Sequence, residues 1–263
     1  MPLQSAGNPI GKPFLELQSV DSTNKYAMGF VHDYHMTEGQ YEPQHGMAIF
    51  AHEQTAGKGQ RGKSWASEKG ANIALSILLN PYPLKVSDQF KLSVCVSTSV
   101  HKFFSKYAGD ETSIKWPNDL YWRDRKAGGI LIENQIRGQH WQWAVVGIGI
   151  NINQTTFDPT LTNPVSLKQI TGKTFDPVQL AKELCTYLTQ RVHQLINHPF
   201  SALLEEYNRC LFKRNEVVQL KRLNTRFTCT ILGVNEVGEL LVKDGPADRF
   251  VFGEVSWGWE TEK

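Results

Sequence analysis

Between the apolar run Gly46-Met-Ala-Ile-Phe-Ala-His-Glu53 and the strand-like run Ile73-Ala-Leu-Ser-Ile-Leu-Leu79 lies a glycine-rich segment, Gly57-Lys-Gly-Gln-Arg-Gly-Lys-Ser64. It satisfies the phosphate-loop pattern G-x-x-x-x-G-K-[ST] and, in its first six residues, the dinucleotide pattern G-x-G-x-x-G. Both patterns require a helix directly behind the glycines, so that its N-terminus faces a phosphate. The following residues, Trp65-Ala-Ser-Glu-Lys-Gly-Ala-Asn72, have no amphipathic helical spacing and run into another strand. The segment therefore joins two strands, which argues against both nucleotide folds. What remains is a connection of about twenty residues carrying Lys58, Arg61, Lys63 and Trp65, a length that points to function or disorder rather than a tight turn.

The rest of the chain mixes strands and helices. Phe14 to Val20 alternates as a strand, and Asp21-Ser-Thr-Asn24 offers caps to a helix through Tyr26, Ala27, Phe30 and Val31. Asp88 to Tyr107 has the apolar spacing of a long helix on a sheet. Ser113–Trp116, Gly129–Glu133 and Trp141–Ile152 read as adjacent strands separated by turns, including Pro117-Asn118-Asp119. Val178 to Phe212 predicts two helices broken near His198-Pro199. From Glu216 onward, short β-rich runs alternate with Gly, Asn and Pro turns, which predicts a small closed β-barrel and a boundary near Lys213, giving units 1–212 and 213–263. The expected class is α+β: a mixed sheet flanked by helices, then a small barrel.

With 263 residues and 40% apolar content the chain can bury a sizeable core, and a net charge of +2 argues against a general nucleic-acid or anionic-membrane surface. Cys95, Cys185, Cys210 and Cys229 are scattered without a C-x-x-C pair, as expected of free thiols in a reducing compartment. His32 and His35 share helical spacing but lack companion ligands, and read as solvated or partly packed. No run approaches the length of a membrane span and the N-terminus lacks signal-peptide organisation, so a cytoplasmic protein is expected. Trp141-Gln-Trp143 reads either as an edge that forms a homodimer or as a capped edge.

Three polar stretches stand out. Lys115-Trp-Pro-Asn-Asp119 is adequately described as a proline turn. In Asp124-Arg-Lys-Ala-Gly-Gly129 a charged turn enters a small-residue strand, with Lys126 expected at a strand edge and backbone accessible to a ligand. Val146-Gly-Ile-Gly-Ile-Asn-Ile152 places Asn151 in an apolar strand, either as a satisfied core amide or as a base-reading side chain. Together these residues suggest an anionic small-molecule site on a nucleotide-using enzyme.

Six motifs, Asp21-Ser-Thr-Asn24, Gln54 to Trp65, Gly70-Ala-Asn72, Lys115 to Tyr121, Asp124 to Glu133 and Gly147 to Asn151, occur in an order that resembles biotin protein ligases. The resemblance runs from about residue 14 to the C-terminal unit and implies a fold related to class II aminoacyl-tRNA synthetases and lipoate ligases, followed by an SH3-like barrel. It also implies two steps: biotin and Mg-ATP give biotinyl-5′-AMP and pyrophosphate, then a lysine on the biotin carboxyl carrier domain of a biotin-dependent carboxylase takes the biotinyl group. Some relatives carry an N-terminal DNA-binding domain. Because the resemblance begins near residue 14, a ligase without DNA binding is expected.

Site roles follow from the resemblance. Ser22, Thr23, Asn24, Gln54, Gly57, Lys58, Lys126 and Gly129 are implied to bind biotin, and Lys58, Arg61, Trp65, Asn118, Lys126 and Asn151 to bind ATP. Trp65 is implied to stack on adenine, with Asn118 and Asn151 reading its edges. Lys58, Arg61 and Lys126, with Mg²⁺, are implied to shield charge while the biotin carboxylate approaches the α-phosphate. The metal ligands and a base for the transfer step are not identified. Lys58 and Gln60 stand where many relatives carry arginine, which keeps one charge, removes another and weakens the expected grip on the adenylate.

Overall fold

The computed structural model describes residues 9–36 and 43–258, without the side chains of 33–36. Its first sheet contains β1 (Phe14–Leu17), β2 (Ala48–Ala51), β3 (Ile73–Leu79), β4 (Thr112–Lys115), β5 (Asp119–Trp122), β6 (Arg125–Arg137) and β7 (His140–Ile150). The strand order is β1-β2-β3-β7-β6-β5-β4. β1 and β2 are parallel, and every other neighbouring pair is antiparallel, so the sheet is mixed as expected.

Alternation along the strands sorts the two faces. Ile73, Leu75 and Ile77 of β3 share a core with Ala144, Val146, Ile148 and Ile150 of β7. That core is covered by helices α2 (Gln89–Ala108) and α4 (Pro177–Asn197), through Leu92, Val96, Phe103, Leu180 and Leu184. On the opposite face α1 (Thr23–Met36) packs Ala27 and Val31 against Ile49, Leu78 and Val145. Beyond Val145 that face of β7 carries only Gly147 and Gly149, so α1 covers one end and a shelf without side chains continues past it.

The short helix α3 (Leu167–Thr171) and α5 (Phe200–Arg209) complete the helices. The C-terminal sheet, β8 (Val217–Arg222), β9 (Thr225–Val234), β10 (Leu240–Lys243), β11 (Arg249–Phe250) and β12 (Ser256–Trp257), is antiparallel with order β11-β10-β9-β8-β12. It is open rather than a closed barrel, because the two end strands, each two residues long, are separated by the turn at Val251–Glu254. Its core side chains Val218, Leu220, Ile231 and Phe250 belong to one buried cluster with Val94, Ile114, Tyr207 and Phe212.

Other sequence expectations also change. Asp119–Trp122 is a strand, although Asp119 was assigned to a turn; four residues are too few for a periodic signal. Lys126 lies at the entry of β6, as expected, and β6 is internal to the sheet, between β5 and β7. β7 is likewise internal, although its pairing with β3 ends at Ala144, leaving Trp141 and Trp143 paired through β6. Trp141 is buried, not an exposed edge. His32 is exposed, and the His35 side chain lies outside the described residues. Among the described residues no helix is long and apolar enough to cross a membrane.

Burial holds the imidazoles of His45 and His101 below their ordinary value of 6.5, and the His101 ring contacts the Thr112 carbonyl at 3.0 Å. The neutral ring is the form the fold favours, so stability is fully present above 6.5 and declines as pH falls toward the lower folded-state value. Thermal unfolding midpoints should accordingly be level near neutral pH and fall as the pH drops below about 6.5, with a shallower fall in His101→Gln. An unchanged slope in that variant would assign the pH sensitivity to other groups.

Candidate active site

The site is built on the glycine shelf. A Cβ at Gly147 would stand 2.3 Å from Asn24 Oδ1, and one at Gly149 would stand 2.5 Å from Cε2 of Trp65. The Asn24 amide and the Trp65 indole therefore lie directly on β7, two residues apart on one face. Gly149 pairs with Gly129 on β6, where a Cβ would sit 3.6 Å from Lys126 Nζ. Amide, indole and ammonium thus occupy neighbouring positions on one surface.

At one end of the shelf is a buried polar relay. Ser22, Thr23 and Asn24, at the start of α1, and Ser76 of β3 are all buried. Gln54 Oε1 accepts from Thr23 N at 2.8 Å and lies 3.0 Å from Thr23 Oγ1. Ser76 Oγ lies 2.7 Å from that hydroxyl and 2.6 Å from Asn24 Oδ1. Asn24 Nδ2 donates to Glu133 Oε2 at 2.8 Å. The α1 entry is further ordered by Lys25, whose ammonium, 2.6 Å from Asp21, holds that exposed carboxyl below its ordinary value. Ser76 and Glu133 were missed as site residues: Ser76 is one hydroxyl in an apolar strand, and Glu133 ends a run that reads as core.

At the other end, Lys126 Nζ donates to Asp119 Oδ1 at 2.7 Å. Asp119 follows the Trp116-Pro117-Asn118 turn, which is anchored from outside the sheet. Trp116 Nε1 donates to Gly238 O at 3.0 Å, and Tyr207 OH donates to Pro117 O at 3.1 Å. Burial, with the nearby charge of Asp119, pushes the Tyr207 phenol well up, so it remains a donor at neutral pH. Lys115, also buried, points to the C-terminal sheet, with Nζ 3.1 Å from Tyr121 OH and 5.2 Å from the Trp257 ring.

The glycine-rich segment connects β2 to β3 with no α-helix behind it, as the sequence predicts. Trp65 N bonds Gly57 O at 2.8 Å and Gly59 N bonds Lys63 O at 2.6 Å, which folds the loop back on itself. A Cβ at Gly57 would meet Trp65 O at 2.3 Å, so only glycine fits that crossing. Asn72, bonded to Ser67, Gln154 and Ile152 N, ties the returning chain to the end of β7.

Lys58 reaches toward the shelf, with Nζ 4.0 Å from Glu133 Oε1. An exposed pair of that length contributes below about 1 kcal/mol, whereas a charge-assisted hydrogen bond such as Asn24 to Glu133 contributes about 1.5–3 kcal/mol. Glu133 is therefore tied chiefly to the relay. Arg61 turns elsewhere: its guanidinium donates to Gly253 O at 3.3 Å and lies 5.9 Å from the Phe252 ring centroid. Arg61 has left-handed φ 54°, a conformation that costs a non-glycine residue roughly 1–2 kcal/mol and that these contacts help offset.

The two expected edge-reading amides are occupied within the protein. Asn118 Nδ2 donates to Ile130 O. Asn151, just beyond the end of β7 rather than within it, donates through Nδ2 to Val165 O at 3.1 Å. Trp65 Nε1, in contrast, is a buried donor without a hydrogen-bond partner. No cluster of three or more metal-ligating side chains occurs among the described residues.

Comparison with known proteins places this geometry in a family. The chain is 29% identical over 211 residues to the bifunctional ligase/repressor BirA of Bacillus subtilis, spanning 79% of this chain and 64% of that relative's length. It is 29% identical over 219 residues to the biotin–[acetyl-CoA-carboxylase] ligase of Paracoccus denitrificans, spanning 80% and 90%. The fold is similar to biotin protein ligase from Aquifex aeolicus in complex with biotin and ATP, with a TM-score of 0.75 and 25% identity over 92% of this chain and 97% of that one. Residues 17–151, which hold the relay, the glycine-rich loop, Lys126 and the shelf, match the signature of one family: the chain belongs to the biotin/lipoate A/B protein ligases.

Proposed function

We propose that the protein activates biotin with ATP to biotinyl-5′-AMP and transfers the biotinyl group to a lysine of a biotin carboxyl carrier domain. The observation that carries this reading is the convergence of three groups on one bare surface: polar relay over Gly147, indole over Gly149 and ammonium beside Gly129, the residue paired with Gly149. A bent ligand with its hydrogen-bonding ring at the relay, its acyl-phosphate at Lys126 and its adenine against Trp65 would engage all three, the acyl-phosphate joining the two ends.

In the first step a biotin carboxylate oxygen bonds to the α-phosphorus and pyrophosphate leaves with the electron pair of the broken P–O bond. Two anions must approach, so positive charge at Lys126, helped by Lys58, lowers the barrier. In the second step the carrier amine, having lost a proton, attacks the acyl carbon and AMP leaves. Lys126 holds the same oxygens through both steps; the support for this role is the Asp119 carboxylate 2.7 Å away, which orders its ammonium. Arg61 serves chiefly to hold the loop. Asn118 and Asn151 shape the nucleotide side through the backbone they bind. Ser22 caps α1, Lys25 N lying 3.5 Å from its hydroxyl, and so positions Thr23 and Asn24.

Mg²⁺ fits as part of the nucleotide substrate: this site offers isolated carboxylates, and Mg²⁺ is usually held by phosphates with one or two such ligands. The C-terminal sheet is assigned as an SH3-like unit beginning near Lys213. All four cysteines are free thiols, which supports a reducing, cytoplasmic location.

Exchange of labelled pyrophosphate into ATP should depend on biotin and fall by about 10²-fold or more in Lys126→Ala. Exchange with lipoate alone would move the protein to another branch of its family, and exchange with neither acid in folded protein would end the enzymatic reading. Gly149→Val must displace Trp65 and should raise KM for ATP by about tenfold or more, with a smaller effect on KM for biotin. Equal changes in both constants would separate the indole from nucleotide binding.

A further inference from the structure

We propose that Glu133 is a positioning residue that sets the hydrogen-bond polarity of the buried relay and thereby selects a ligand ring bearing N–H donors. The inference rests on the biotin reading above and extends it to a residue placed behind the relay. Glu133, as a carboxylate, can only accept, so the Asn24 amide presents Nδ2 to it at 2.8 Å, with the Leu131 carbonyl a longer second acceptor at 3.4 Å, and Oδ1 to Ser76. At the far end the Thr23 backbone N–H likewise fixes the Gln54 oxygen inward. Both ends of the relay are therefore acceptors.

Between those ends stand the hydroxyls of Thr23 and Ser76, each with one proton, and three oxygen–oxygen contacts of 3.0, 2.7 and 2.6 Å. Two protons cannot fill three contacts. The relay is one donor short, and its unused lone pairs match a cyclic urea, whose ring nitrogens each carry a hydrogen. A dithiolane ring has no N–H to offer, so it would leave the relay unpaired. Discrimination by buried polar groups of this kind exceeds what ring size alone provides.

Replacing Glu133 by Gln tests the polarity with little change of size. A glutamine amide can donate to Asn24, which frees Asn24 to turn its own NH₂ toward Ser76 and supply the missing hydrogen. Calorimetric titration with biotin, without nucleotide, should show Glu133→Gln binding about tenfold or more weaker than wild type, while ATP titrated alone changes by less than about twofold. The ratio of biotin to lipoate in pyrophosphate exchange should fall as well. Unchanged biotin affinity overturns the proposal, as does an equal loss for ATP, which would assign Glu133 to holding Lys58 instead. Wild-type protein that binds no biotin overturns the functional reading itself, and this proposal with it.

Discussion

The site depends on a division of labour within one strand. In β7 the residues facing α2 and α4 are Ala144, Val146, Ile148 and Ile150, which bind the sheet to its helical layer. The alternate residues beyond Val145 are glycines, and a strand anchored firmly on one side can leave the other bare. Glycine weakens a strand interior, and the apolar opposite face offsets that loss. The bareness lets groups from three separate elements reach the same surface: Asn24 from a helix start, Trp65 from a loop and Lys126 from the neighbouring strand.

A second constraint is that nearly every polar group at the site is held by another. Asp119 orders Lys126, Glu133 orders Asn24, and Gln54 is ordered by the Thr23 backbone. Such support lowers the reorganisation needed when a ligand arrives. Asn118 and Asn151 share in this support: each donates to a backbone carbonyl, of Ile130 and Val165 respectively, beside the chain that carries Lys126 and Gly129.

Much of this was legible in the sequence, for identifiable reasons. Apolar alternation located β3 and β7, helical spacing located α2, α4 and α5, and the lack of a helix after Ser64 separated the glycine-rich loop from the phosphate-loop fold. Ser76, Glu133 and the anchoring of Arg61 were not legible, since each depends on a partner 52 to 192 residues away in the chain. The strand β5 is hidden by its shortness, and with it the neighbour that makes the strand of Lys126 internal to the sheet. Closure of the C-terminal sheet was over-read, because run spacing shows how many strands exist but not whether the first meets the last.

Phe252 lies between two parts of the site, 6.1 Å from the Trp116 ring and 5.9 Å from the Arg61 guanidinium. The glycine-rich loop is thereby fastened to the small sheet as well as to the large one. Local opening of Val251–Glu254 would release the loop from the small sheet, while the Trp116 turn would keep its anchors at Gly238 and Tyr207, so the small sheet helps to order the glycine-rich loop. Fraying of the two very short strands beside this turn would thus be felt in a loop that belongs to the other sheet.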